Sequence, residues 1–444
     1  MIFLTTRFFA AVFGLAGFFL LAFFFPALLT LARIGLLALA ALVLVDAGLL
    51  WGAGRAFIAR RAVADKLSNG SENPVRIYLE NRYRFGVQVE AIDETPEQLQ
   101  WRDAAFRAAV PSGETAVIRY SIRPTRRGEY AFGAVRAFVA SPVGLLRRRF
   151  TEATEARTVR VYPSFAQMRQ YELLAVSNRL TDTGVKRLRR LGHSMEFEQL
   201  RPYTPGDDPR TINWRATARR RAAGPDQLIV NHYQDERAQQ VICLIDKSRV
   251  MRMPFANLSL LDYAINATLV LSNIALLKHD KAGLITFAEK ISAVVAPERR
   301  PDQIRRLLEV LYHQRTRYLE ADPELLYATV RTRVRQRSLL VLFTNFETLA
   351  AMQRQLPYLR RLAQGHLLLV VFFENTELAN LLNTPATTTD AVYEQTVAEK
   401  FAQEKRQIVL ELRRYGIHAL LTAPANLTVS VINRYLEFKS RGMI

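Results

Sequence analysis

The sequence predicts an α/β protein in three parts: two N-terminal transmembrane helices, a small all-β sandwich-like domain, and a doubly wound α/β domain. Three observations lead there. Two uninterrupted apolar runs open the chain, brief alternating runs separated by turn residues follow, and buried-type apolar runs then alternate with helical periodicity to the C-terminus. At 444 residues the chain exceeds one ordinary domain, and 50% apolar residues suffice for several cores. The parts divide into a transmembrane hairpin over 1–54, a linker over 55–74, the β-domain over 75–163, a connector over 164–236 and the α/β domain over 237–444.

Residues 8–28 and 31–51 are almost entirely Phe, Leu, Ala, Val and Gly. Each run is long enough to cross roughly 30 Å of hydrocarbon as a helix. A cleaved signal peptide has a shorter apolar stretch and then a small-residue cleavage site, whereas here a second span follows at once. Lys and Arg are retained on the cytoplasmic side. Arg7 precedes the first span and Arg55, Arg60 and Arg61 follow the second, against Arg33 alone near the turn. This predicts a two-pass anchor with the N-terminus and the soluble domains in the cytoplasm. The single cysteine, Cys243, agrees with a reducing compartment, and its apolar run 241–245 reads as a buried strand around an inert thiol.

In the β-domain, runs at 75–79, 87–92, 116–122 and 130–138 are separated by turn signals such as Pro111-Ser112-Gly113 and Arg127-Gly128. Strands of this spacing suit a small sandwich resembling immunoglobulin or fibronectin modules. The connector has poor periodicity and much Arg, Gly, Pro and Asp. Beyond it, strands are predicted at 241–245, 283–287, 291–295, 339–343, 367–373 and 417–421, and helices at 259–277, 302–312, 323–334, 349–363, 391–415 and 426–438. Near-continuous apolar strands alternating with helices imply a mostly parallel sheet covered on both faces. Ligands of such sheets bind beyond the carboxyl ends of the strands, which puts 246–250 and 344–347 on one functional edge.

The formal charge of +20 comes mainly from Arg and raises the question of nucleic acid, since phosphate neutralisation rewards clustered cations. The clusters at 147–149, 186–190 and 219–221 are separated in sequence and carry no interleaved aromatic ladder. They read instead as a solvated face near anionic headgroups or an acidic partner. His193, His232, His279, His313, His366 and His418 are scattered without metal-ligand spacing. The phosphate-loop, dinucleotide, G-x-S-x-G and H-E-x-x-H patterns do not occur, so no catalytic residue is assigned.

At the end of the first α/β strand stands Asp246-Lys247-Ser248-Arg249-Val250, which resembles the D-x-S-x-S loop of von Willebrand A-like, Rossmann-type domains. The resemblance implies a site in which that Asp, the Ser oxygens and a later Thr and Asp hold a hard cation such as Mg²⁺. Here Val250 replaces the second Ser, and Thr344-Asn345 offers Asn345 where the Asp is expected; Thr316 is a candidate third-loop contributor. Without those ligands the degenerate site is not expected to retain Mg²⁺. The other reading of Asp246 and Ser248 is that they cap the following turn by accepting backbone N–H groups.

The longest motif runs from Gly192 to Trp214 with Arg219 beyond, and includes Glu196-Phe197, Leu200-Arg201, Tyr203, Pro205-Gly206-Asp207-Asp208 and Arg210. It is similar to the signature of domain-of-unknown-function family 58, and Ser141-Pro142-Val143-Gly144-Leu145 and Val161-Tyr162-Pro163 also look like segments of that family. The resemblance implies a bacterial inner-membrane protein that partners a MoxR-type AAA+ ATPase in assembly, maturation or envelope homeostasis. Within the signature, Asp207 and Asp208 sit among Arg201, Arg210 and Arg219, with Tyr203 and Trp214 as expected anchors. This is either a docking surface or an internal ion-pair network, and carboxylates among arginines suit neither general acid nor base. The sequence therefore favours a membrane-anchored, non-catalytic binding or scaffold module. The alternatives are a metal-dependent or acid/base enzyme, and a binder of nucleic acid or another anionic surface.

Overall fold

The computed structural model describes residues 2–444 except 53, 55, 102–104, 152–156, 177–194, 206–208, 210–211, 222–227, 236–237, 257 and 384–387, with the backbone alone described at 173–176, 195–199, 220–221, 232–235, 379–380 and 383. The chain forms two compact units, Met1–Ala166 and Gln167–Ile444.

In the first unit, β1 (Ile2–Leu4) leads into α1 (Thr6–Phe24) and α2 (Leu29–Trp51), both long and apolar enough to cross a membrane. Their large side chains, Phe13, Leu20, Phe23, Leu37 and Leu44 among them, are exposed, as suits a membrane anchor. Ten strands follow: β2 (Phe57–Ala62), β3 (Lys66–Ser68), β4 (Asn73–Asn81), β5 (Val87–Asp93), β6 (Ala105–Val110), β7 (Thr115–Ile122), β8 (Gly128–Phe132), β9 (Val135–Ala140), β10 (Leu146–Thr151) and β11 (Arg157–Tyr162). They form sheets in the orders β1-β10-β9-β5-β6, β2-β4-β7 and β3-β11-β8. Strict alternation in β4 turns Val75, Ile77 and Leu79 into the core while Arg76, Tyr78 and Pro74 face outward.

Because β1 precedes the hairpin and pairs antiparallel with β10, which follows it, the N-terminal residues and the β-sheet lie on the same side of the hairpin. The junction is heavily bonded. Asp46, buried in α2, accepts the amides of Leu145 (2.9 Å) and Leu146 (2.7 Å) and the hydroxyl of Ser141. Thr5 caps α1 through the amide of Phe8 and donates to the carbonyl of Gly144. Gly144, at φ +73°, makes the left-handed turn that brings those carbonyls and amides round.

Two expectations need correction here. Residues 55–74, expected as a linker, contain β2 and β3, because Arg61 is not a solvated charge. Its guanidinium is buried against the carboxylate of Asp93, which also accepts the Tyr120 hydroxyl, so a residue that reads as polar linker belongs to the sheet. The run 130–138, read as one strand, is split into β8 and β9 by Gly133 and Ala134, whose amides donate to Glu94.

The second unit takes in Met168 and Tyr171 of α3 (Phe165–Val176), then β12 (Met195–Pro202), α4 (Trp214–Arg221) and β13 (Ile229–Asp235). The connector, whose sequence has poor periodicity, thus includes an antiparallel β12–β13 pair followed along the register from Met195↔Asp235 to Pro202↔Ile229. The rest is β14 (Gln240–Asp246), β15 (Pro254–Phe255), β16 (Leu258–Ser259), α5 (Leu260–Leu277), β17 (Lys281–Phe287), β18 (Ile291–Glu298), α6 (Gln303–Tyr312), α7 (Pro323–Arg333), β19 (Leu339–Phe343), α8 (Leu349–Gly365), β20 (Leu367–Phe373), α9 (Thr376–Asn383), α10 (Thr389–Arg414), β21 (His418–Thr422) and α11 (Leu427–Ser440).

Six of these strands make one sheet in the order β18-β17-β14-β19-β20-β21, parallel except for the antiparallel edge strand β18, while β15 and β16 pair separately. Helices cover both faces: α5, α6 and α11 share one core with Val241, Cys243 and Ile245, and α7, α8 and α10 share the other with Ile242 and Leu244. The sheet order reverses between β17 and β19, on either side of β14. That switch point opens a crevice at the carboxyl ends of the strands.

Candidate functional site

β14 ends at the switch point, so its last residue, Asp246, is carried to the carboxyl edge inside the fold, 1% exposed. One oxygen accepts the amide of Ser248 at 2.8 Å and the other the hydroxyl of Thr344, at the end of β19, at 2.7 Å. Burial raises the pKa of this carboxyl, and the hydrogen bonds from Ser248 and Thr344 oppose the shift. Ser248 and Thr344 are themselves buried. Asp246 thus accepts a backbone amide of the turn that follows it, as a cap does, whereas Thr344 bonds it from the end of another strand and the Ser248 side chain does not cap the turn.

Asn345 turns the other way. Its amide oxygen accepts from the ammonium of Lys405, on α10, at 2.7 Å. Burial drives the Lys405 amine down to about 8, with nearby Glu347 opposing. Thr316 is half-buried in the loop after α6, and the amide of its neighbour Arg317 donates to the Lys247 carbonyl at 2.7 Å, which brings that loop beside the edge. A cation does not fit these donors well. Val250 supplies none, the Asn345 oxygen is taken by an ammonium whose charge opposes a divalent ion, and among the described residues no group of three or more His, Cys, Asp or Glu could hold a metal.

Two clefts flank Asn345. One, about 310 Å³, is lined by Ser248, Val250, Glu320, Thr348 and Arg354. The other, about 830 Å³, lies among the ends of β19, β20 and β21, the β15–β16 hairpin and the helices α9 and α10. Lys405 and this second cleft were missed at the level of sequence. A signal exists: Ala398, Ala402, Lys405, Val409 and Leu412 recur at helical spacing, so one lysine interrupts an apolar stripe.

Of the signature, Gly206, Asp207, Asp208 and Arg210, with Gly192, lie outside the described residues, and only the backbone of Glu196 and Phe197 is described, within β12. Leu200 on β12 is 45% exposed, and Trp214, expected as an anchor, is 68% exposed at the start of α4. Tyr203 is half-buried and its amide donates to Leu228 at 2.8 Å; Arg201 donates to Thr204 at 2.9 Å; Pro205 and Arg219 are exposed. α4 is held by Asn213, which caps Ala216, and by Thr217, which accepts the amide of Ile229 at 3.0 Å. Of the basic cluster 147–149, Arg147 pairs with Glu90, and Arg148 donates to the Leu50 carbonyl and stacks over Phe150. Cys243 is buried and its thiol is pushed up to about 12, which makes it unreactive.

The fold and this edge define a protein with an apolar N-terminal hairpin and a doubly wound domain whose switch-point carboxylate is closed by its own neighbours. Residues 199–401 match the family described as "Protein of unknown function DUF58". The "Uncharacterized protein YeaD" of Bacillus subtilis (strain 168) is 28% identical over 203 residues, 44% of this chain, and the match spans about half of that relative, 48%. Both are similarities confined to under half of the chain. Among solved structures, the CARDB domain of a Pyrococcus furiosus protein is 12% identical, with 24% of this chain and 91% of that one covered at a TM-score of 0.17. Proximal thread matrix protein 1 from the mussel byssus is 9% identical, with 46% and 47% covered at a TM-score of 0.26.

Proposed function

We propose that this chain is a membrane-anchored, non-catalytic protein-binding or scaffold module with a von Willebrand A-like domain, working with a MoxR-type AAA+ ATPase in protein assembly, maturation or envelope homeostasis. Its soluble units face the cytoplasm from the inner membrane, the side on which Arg7, Arg55, Arg60 and Arg61 would be retained. The observation that carries the reading is the closed state of the switch-point carboxylate. Each oxygen of Asp246 accepts a hydrogen bond, from Ser248 and from Thr344, which supports a structural use of this carboxyl over a catalytic one, and clefts open beside it. The exposure of Leu200 and Trp214 supports the signature as a docking surface, since large apolar side chains at the surface mark contact sites.

The test is recovery of partners from native membranes with wild type and with an Asp207→Ala, Asp208→Ala double variant of matched unfolding temperature. A MoxR-type ATPase recovered with wild type and lost with the variant is expected. Recovery by neither protein overturns the pairing. A catalyst would instead show turnover abolished by Asp246→Asn in a folded protein, and a Mg²⁺-dependent module would show an unfolding temperature that rises with Mg²⁺.

A further inference from the structure

The larger cleft at the carboxyl edge combines three features. Its walls are apolar, built by Phe255, Leu378, Leu382, Val397 and Phe401. Beside Asn345 it holds the Lys405 ammonium, which has three donors and, among the described residues, one acceptor, a neutral amide oxygen. Among the described residues no carboxylate lies within ion-pair distance of it, although the charge of Glu347 is felt there. Around the mouth stand Glu347, Glu374, Glu377 and Glu394, all exposed, and none of them is in an ion pair among the described residues. In a chain of net charge +20, these four glutamates, with Arg406 also on the lining, make the cleft a locally acidic place.

We propose that this cleft receives the C-terminal end of a partner protein: an apolar tail whose terminal carboxylate pairs with Lys405 and whose basic residues, a few positions upstream, meet the glutamate rim. The proposal deepens the protein-binding reading and rests on it. A half-buried ammonium with spare donors favours an anion, and an anion that also has an apolar body fits the walls. A simple fatty carboxylate would satisfy the lysine but bring nothing for the four glutamates, whereas a peptide supplies charges of both signs. The cleft, at about 830 Å³, lies in the range of sites that enclose a small ligand or a few side chains.

The experiment uses the full chain in lipid nanodiscs and an N-terminally labelled peptide, Lys-Arg-Ala-Leu-Leu-Phe, read by fluorescence anisotropy. The free-acid peptide is expected to bind. Its C-terminal amide, and the Lys405→Met variant, should each bind at least tenfold more weakly, and Val397→Trp, which fills the cleft, should abolish binding. Glu377→Gln with Glu394→Gln should remove the preference for Lys-Arg over Ala-Ala at the peptide's start. Equal binding of acid and amide overturns the assignment of Lys405, and so does the absence of binding by wild type. Competition by dodecanoate in place of peptide binding would make the ligand an amphiphile and likewise overturn it. Recovery of an ATPase from membranes is measured separately, so loss of peptide binding with that recovery intact defeats this inference alone.

Discussion

At Lys405, burial and charge act against each other. The amine is driven down to about 8 in the folded chain, against roughly 10.4 for an unperturbed lysine. Between those values the unfolded state binds more protons than the native one, so stability rises as pH climbs through that window; below it, folding carries the full cost of the partly desolvated ammonium. The gain is at most about 3 kcal/mol. Urea unfolding at pH 7 and pH 10 should show it for wild type and not for Lys405→Met, which should also be the more stable at pH 7. Asp46 is the opposite case, a buried carboxyl with hydrogen-bond partners on both oxygens. Asp46→Leu strands the buried amides of Leu145 and Leu146, at about 1–3 kcal/mol for each. Asp46→Asn, which retains one acceptor, should cost less, and thermal unfolding in nanodiscs would rank the three proteins. Asp246 and Asn345 were legible from the pattern D-x-S and from the strand-end Thr-Asn. Lys405 was not, since a lysine in a long polar helix reads as surface until the helix is placed.

Helix α5 shows how much an element owes to its sequence. Ser259 accepts the amide of Asp262 at 3.2 Å while Asp262 reaches back to the amide of Ser259 at 3.3 Å, a capping box written into the chain as Ser-x-x-Asp. Ser259→Ala should cost about 1 kcal/mol, measured as a lowered urea midpoint with an unchanged slope. By length and composition α5 could also span a membrane, as α1 and α2 could. The difference is burial: most of α5 is packed among strands and helices of its own unit, while α1 and α2 expose their apolar faces. The strands at 339–343 and 367–373 were legible to the residue because uninterrupted apolar runs buried on both faces have sharp ends. The helix at 376–383 was not, since two turns of Leu-rich sequence have too little periodicity to register.

Across the whole molecule, each unit has its own cores, so the chain should unfold in steps that can be told apart. Differential scanning calorimetry in nanodiscs should resolve two transitions, with Asp46→Leu lowering one and Ser259→Ala the other; a single transition shifted by both variants would mean the units are energetically coupled. Apolar periodicity by itself determined the hairpin, the β-rich segment and the alternating α/β domain, because water's exclusion of apolar surface acts on patterns readable along one chain. The strand order, the turning inward of Arg61, the closure of Asp246 by Thr344 and the seating of Lys405 beside Asn345 were decided only by the tertiary structure. Each joins residues far apart in sequence, and whether a polar side chain is solvated or buried with a partner depends on neighbours that only folding supplies.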